Sequence, residues 1–180
     1  NPYEFIHTVV PNTRNSICVY KPLSRSFYKM VELCNMMNIL HELPKESCKS
    51  FHLAEGPGGF IEAIVFLRKN VRDTYYGMTL IDDNPNVEGW RKSRSFLEKN
   101  SNVIIEKGID GTGDLLNPQN LLHCLKHYRN NFDLITGDGG IDFSVNYDSQ
   151  ESDSSILILS QISFAIATQK TGGTLIIKMF

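Results

Sequence analysis

The sequence predicts an α/β fold: a mostly parallel sheet with helices on both faces. Three observations predict it. From residue 51 onward, short β-forming runs alternate with stretches of helical period. The first run, Phe51-His52-Leu53-Ala54, turns at Glu55-Gly56-Pro57-Gly58-Gly59-Phe60 directly into a helical stretch. Each run also delivers glycine, carboxylate or lysine at its end. Alternating strands and helices imply βαβ units, whose ligands bind outside the carboxyl ends of the strands.

The elements follow in order. Ser24 to Leu40 has a helical period through Phe27, Met30, Val31, Cys34 and Met37, with Ser24 as the expected N-cap. Phe51 to Ala54 is strand one, and Gly59 to Lys69 its helix. Thr74 to Leu80, rich in β-formers, is strand two. Val87 to Asn100 is a polar helix bearing Trp90, Phe96 and Leu97. Asn102 to Glu106 is strand three. Asn117-Pro118 has the cap-then-proline form of a helix start, continued by Leu121, Leu122, Leu125 and Tyr128. Phe132 to Thr136 is strand four. Ser154 to Gln169 is an apolar helix, expected to end at Gly172-Gly173. Thr174 to Lys178 is strand five, expected to be buried. With Lys178-Met179-Phe180 closing the sequence on such a strand, the expectation is a fold truncated before its last strands.

With 180 residues, 41% hydrophobic and 21% charged, the composition suits one globular domain. A net charge of −2 excludes a molecule that attracts nucleic acid as a whole but leaves room for a local basic face. Cys18, Cys34, Cys48 and Cys124 form no CxxC pair and read as free thiols of a reducing compartment. No apolar run reaches the length of a membrane span, and Asn1-Pro2-Tyr3 does not resemble a signal peptide.

The residues at the strand ends set the chemistry. Glycines at 56, 58 and 59 let bare backbone approach a ligand, and the helix that follows offers unpaired N–H groups. An ordinary tight turn is the competing reading of such a loop. A carboxylate after strand two, Asp82 or Asp83, suits a ribose diol; a solvated turn is the alternative. Asp110 or Asp114 could meet an adenine amino group, or belong to a plain turn. Asp138, between Gly137 and Gly139, faces the ligand edge at the end of strand four. Lys178 follows four apolar or β-branched residues, and strands four and five are neighbours in the usual wound order, so the two side chains can meet. A lysine so placed can act as a base, helped by a second cation. Lys29, one turn after Arg25, is a candidate for that cation; a solvated helix face is the alternative. Arg14, Lys21, Arg25 and Lys29, with Tyr20 and Tyr28 among them, form a sparse basic and aromatic series of the kind that holds RNA.

These segments resemble the FtsJ-like (RrmJ-type) ribose 2′-O-methyltransferases, and among them the mRNA cap 2′-O-methyltransferases, including those of large DNA viruses. Arg25-Ser26-Phe27-Tyr28-Lys29-Met30, Leu134-Ile135-Thr136-Gly137-Asp138-Gly139-Gly140 and Gly173-Thr174-Leu175-Ile176-Ile177-Lys178 resemble the segments that carry that family's catalytic lysine, aspartate and lysine. Glu55 to Phe60 resembles its cofactor loop. Gly77-Met78-Thr79-Leu80 and Asp110 to Asp114 resemble segments of the cap enzymes in particular. Two departures stand out. The family's fourth catalytic residue, a glutamate on a later strand, has no counterpart before Phe180. His52 also stands where the family often has an acidic residue that helps to order the cofactor loop.

The resemblance implies a Rossmann-like class I methyltransferase fold over residues 24–180, preceded by an extension over residues 1–23. It implies S-adenosyl-L-methionine as donor, held by Glu55, Gly56, Pro57, Gly58, Gly59, Phe60, Asp82 or Asp83, Asp110 or Asp114, and Asp138. Lys29, Asp138 and Lys178 would be catalytic, and Arg25, Tyr28 and Lys29 would contact RNA, with capped mRNA as the expected substrate. No metal and no membrane partner is expected; a further domain or capping partner is. The expected location is intracellular: cytoplasmic (a viral factory or virion, if viral) or nuclear. Methylation of ribosomal or transfer RNA, and a catalytically inactive domain that binds RNA or a partner, are the alternatives. A nucleotide-binding oxidoreductase is a third, disfavoured because the loop lacks G-x-G-x-x-G spacing.

Overall fold

The structure, a computed structural model, describes residues 2–7, 17–84, 87–140 and 150–179. The elements are α1 (Pro2–His7), α2 (Ser26–Met36), α3 (Ile39–Glu42), β1 (Lys49–Leu53), α4 (Gly59–Arg68), β2 (Thr74–Met78), a 3-10 turn (Arg91–Ser93) leading into α5 (Arg94–Lys99), β3 (Val103–Ile105), α6 (Pro118–Tyr128), β4 (Phe132–Gly137), α7 (Gln150–Thr168) and β5 (Gln169–Ile177). The strands form one parallel sheet in the order β3-β2-β1-β4-β5. The direction of winding reverses between β1 and β4, which is where such a sheet opens its ligand crevice.

Two cores cover the two faces. Alternation along β1 sends Phe51 and Leu53 to one face and Ser50 and His52 to the other. Phe51 and Leu53 pack with Phe132, Ile135, Cys124 and Phe164, under α6 and α7. On the opposite face Phe27, Met30, Ile61, Ile64 and Tyr75 join α2 and α4 to the sheet. The polar residues of β1 are fully satisfied there. His52 Nε2 lies 2.7 Å from Ser50 Oγ and Nδ1 lies 2.8 Å from Thr136 Oγ1, so the imidazole ties β1 to β4. Burial pushes it down to about 3. The four cysteines are free thiols, three of them buried.

Several boundaries differ from those the sequence predicts. Ser24 does not cap α2: Arg25 holds that position, no side chain caps it, and the Ser24 hydroxyl bonds that of Ser26 instead. The predicted helix breaks at Asn38, whose left-handed φ of 54° turns the chain into α3. The polar helix starts only at Arg91. β2 ends at Met78, and β1 begins at Lys49. The helix expected over Ser154 to Gln169 runs from Gln150 to Thr168, and the largest correction concerns β5, which begins at Gln169 rather than at Thr174. Asn131 N–H bonds the Thr168 carbonyl and Gln169 pairs with Phe132, so sheet pairing begins at once and the two glycines fall inside β5 at a register shift. β5 is an outer strand of the described sheet and only half-buried, not the buried strand the sequence suggests. Arg14 lies outside the described residues.

Candidate active site

The glycine turn is built by one carboxylate. Glu55, at the end of β1, is buried, and its Oε1 accepts the N–H groups of Phe60 (2.8 Å) and Ile61 (2.9 Å) in the first turn of α4. It therefore closes the loop on itself, supplying the cap that no N-cap side chain provides. Burial pushes its carboxyl up to about 8, against the pull of those two N–H groups. Between them, Gly58 has φ +109°, open to glycine at little cost, and the Gly56–Pro57 peptide is cis. Gly59 lets α4 start against the hydroxyls of Ser24 and Ser26.

Lys29 of α2 projects across the carboxyl edge of the sheet to Asp138, just beyond β4. Its Nζ lies 2.9 and 2.8 Å from the two carboxylate oxygens. Lys178, one residue past β5, is held in step because its N–H bonds the Gly137 carbonyl. Its Nζ donates to the Asp138 carbonyl oxygen (2.8 Å) and lies 3.3 Å from Oδ1. The three side chains remain partly open to solvent, at 35%, 15% and 32% exposure. They line a cavity of about 310 Å³ with Glu55, Gly56, Pro57, Ser24 and Arg25. A second cavity of about 380 Å³ adjoins it, sharing Ala54, Gly56, Glu88 and Asp138; Gly139, Gly140, Asp114, Leu115 and Leu116 are among the rest of its wall.

The expected site residues divide accordingly. Lys29, Asp138, Lys178, Gly56, Pro57, Glu55, Arg25 and Asp114 reach the two cavities. Gly58, Gly59 and Phe60 shape the loop from behind. Asp82 and Asp83 are not brought to either cavity: Asp82 takes the N–H of Asn84 and lines a separate depression with Trp90 and Arg94. Asp110 is spent on its own loop, accepting from Thr112, Asn117 and Asn120, and these bonds hold its carboxyl well below the usual range. Tyr28 turns away to bond the Tyr20 carbonyl.

Several residues went unnoticed in the sequence. Tyr3 and Glu88 line the first cavity. Gln161 of α7, almost fully buried, accepts the Gly139 N–H on Oε1 (3.2 Å) and so backs the Asp138 turn. A glutamine within the apolar run from Ile156 to Ile166 is a signal that could have found it.

A parallel sheet wound in this order, with a glycine turn at its first strand and charged groups gathered at its switch point, defines a Rossmann-like methyltransferase fold. The chain belongs to the FtsJ-like methyltransferase family, whose model matches residues 22–180. It is 27% identical over 176 residues to cap-specific mRNA (nucleoside-2′-O-)-methyltransferase 2 of Drosophila melanogaster, covering 87% of this chain and 24% of that protein. It is 28% identical over 202 residues to cap-specific mRNA (nucleoside-2′-O-)-methyltransferase 1 of Homo sapiens, covering 100% of this chain and 22% of that protein. The chain thus spans less than a quarter of the length of these curated relatives. A Plasmodium falciparum structure described as a ribosomal RNA methyltransferase shares the fold, with a TM-score of 0.58 at 24% identity over 87% of this chain and 78% of that one.

Proposed function

We propose that the chain methylates a ribose 2′-hydroxyl of RNA, with S-adenosyl-L-methionine as donor and the cap-proximal nucleotide of mRNA as acceptor. The observation that carries this reading is the convergence of Lys29, Asp138 and Lys178 at the mouth of a glycine-walled cavity. Membership of the FtsJ-like family supports it, and the cap-specific names of the relatives support the choice of acceptor.

The second cavity suits the donor. Its volume is in the range of ligand pockets, and Gly56, Gly139 and Gly140 expose bare backbone to it. Asp114 offers a carboxylate for hydroxyl or amino groups, and Leu115 and Leu116 an apolar wall. When bound, the donor supplies an electrophilic sulfonium methyl.

Asp138 works as the organiser. Its carboxylate fixes the Lys29 ammonium, and its peptide carbonyl fixes Lys178. With the donor bound, Lys178 would act as the base that accepts the 2′-hydroxyl proton. Lys29 holds the hydroxyl oxygen beside that base, and Arg25 takes the neighbouring phosphate. Alignment in a preformed site supplies much of the remaining acceleration.

Transfer of labelled methyl to capped and uncapped RNA, followed by nuclease digestion to nucleosides, tests the reading. Label in a 2′-O-methylated cap-proximal nucleoside is expected. Label on uncapped RNA alone would contradict the cap assignment, and label on a base would contradict the ribose acceptor.

A further inference from the structure

Resting on the reading that the substrate is RNA, we infer that a second, basic groove beside the active site holds a tract of single-stranded RNA away from the reacting nucleotide. The groove, of about 480 Å³, lies between the segment before α2, the outer end of α4, and α5. Lys21, Lys69, Lys92 and Lys99 line it. These lysines are scattered through the sequence and gathered only by the fold. In a chain of net charge −2, four on one groove are a local concentration of positive charge.

Its carboxylates do not offset that charge. Glu62 is buried beneath the groove, where it accepts the Tyr20 hydroxyl (3.0 Å) and the Leu23 N–H (2.7 Å). Glu88 pairs with Lys92 at the rim, leaving Lys21, Lys69 and Lys99 to face solvent.

Flat rings lie between the charges. Phe66 is 41% exposed although large and apolar, and the Lys69 ammonium sits 5.6 Å from its centroid. Tyr20 stacks on Phe27 at 5.0 Å and is pinned by its hydroxyl to Glu62, so its ring is fixed before any ligand arrives. Lysines interleaved with preset rings match phosphates interleaved with bases. An acidic peptide would have no use for the rings, and a concave groove does not fit a membrane surface.

The groove and the active site are lined by successive residues of one segment. Tyr20, Lys21 and Leu23 line the groove, while Ser24, Arg25, Ser26 and Lys29, next along the chain, line the catalytic cavity. A strand whose ribose meets Lys178 can therefore run on past Arg25 into the groove. The groove then sets affinity for long RNA and leaves the chemistry of a short acceptor untouched.

The test is fluorescence anisotropy, without methyl donor, of a labelled capped RNA of about twenty nucleotides, comparing wild type, Lys69→Glu/Lys99→Glu and Phe66→Ala. The double variant is expected to bind about tenfold or more weakly, and to lower the slope of log affinity against log salt by about 1.4, or 0.7 per lysine. Phe66→Ala is expected to weaken binding with the slope unchanged. Methyl transfer to a capped trinucleotide should stay at the wild-type rate in both, which also shows that the variants are folded. Unchanged affinity and slope in the double variant would overturn the inference. So would intact RNA binding combined with lost binding to polyglutamate or to phosphatidylserine vesicles. If wild type transferred no methyl to any RNA yet the anisotropy differences appeared, the reaction assigned above would fail and the groove would stand.

Discussion

Lys29 and Asp138 stand 109 residues apart in sequence and meet in a two-oxygen ion pair, the lysine Nζ 2.9 and 2.8 Å from the carboxylate oxygens. The pair fastens α2 to the end of β4 across the mouth of the cavity. Lys178 joins it from β5 through the Asp138 peptide carbonyl. One aspartate thus positions two amines, one from a helix on the face of the sheet and one from the end of the neighbouring strand.

Replacing Asp138 with Asn keeps the shape and removes the charge between the two lysines. Methyl transfer should fall by at least about a hundredfold, the usual scale for loss of organised proton transfer. The peptide carbonyl that holds Lys178 is retained, so binding of the donor should change far less. Isothermal titration with the donor, beside initial rates, checks the split.

Glu55 is expected to act on the donor loop rather than on the RNA. Glu55→Ala leaves the Phe60 and Ile61 N–H groups without their partner and should cost about 1–2 kcal/mol of stability, the scale of a lost helix cap. Donor affinity should fall with it, while RNA affinity measured without donor holds. Glu55→Gln keeps a carbonyl acceptor and should recover part of both losses. Thermal unfolding and donor titration of the two variants decide the matter.

Gln161 is expected to be a positioning residue. Its side chain accepts the Gly139 N–H and donates to the Leu157 carbonyl, so it backs the turn that carries Asp138. Gln161→Leu should lower kcat with little change in the KM for RNA. Gln161→Glu, which keeps the acceptor oxygen, should recover part of kcat. A purely structural role would instead lower the amount of folded enzyme and leave kcat per folded molecule unchanged.

His52 gives a pH dependence with a definite sign. Burial holds the imidazole at about 3, below the unfolded value near 6.5, so the unfolded chain takes up a proton first as pH falls. The stability from this group is fully present above about pH 6.5 and is lost as pH falls from there toward about 3, by up to roughly 1.4 kcal/mol per pH unit. Urea unfolding at about pH 7 and pH 5.5 should show that loss in wild type, and His52→Gln should remove this part of it.

The meeting of Lys29, Asp138 and Lys178 was legible in the sequence because each member sits where regular structure fixes its direction. Lys29 lies on a helix face whose other side is the apolar stripe of Phe27 and Met30, and Asp138 and Lys178 follow paired strands in register. The loop carboxylates were not legible in the same way. Asp82, Asp110 and Asp114 share one composition signal and each accepts the N–H of the residue two positions on, yet only Asp114 is brought to the cavity wall, a difference of packing that spacing does not reveal. The start of β5 was misread for a different reason: Gly172-Gly173 reads as a loop between helix and strand, but Gln169 already pairs with Phe132 and the glycines fall inside the strand. Of the basic groove only Lys21 and Tyr20 were legible, because Lys69, Lys92 and Lys99 join them only through packing of α4 and α5 beside the segment before α2.

The most direct test of the central claim is the single-turnover rate of Lys178→Ala with donor and capped RNA both bound at saturation, measured beside wild type. The account predicts that the variant binds both with wild-type affinity and transfers methyl at least about a hundredfold more slowly. Transfer at the wild-type rate would contradict Lys178 as the base and, with it, the role assigned to the Lys29–Asp138–Lys178 cluster.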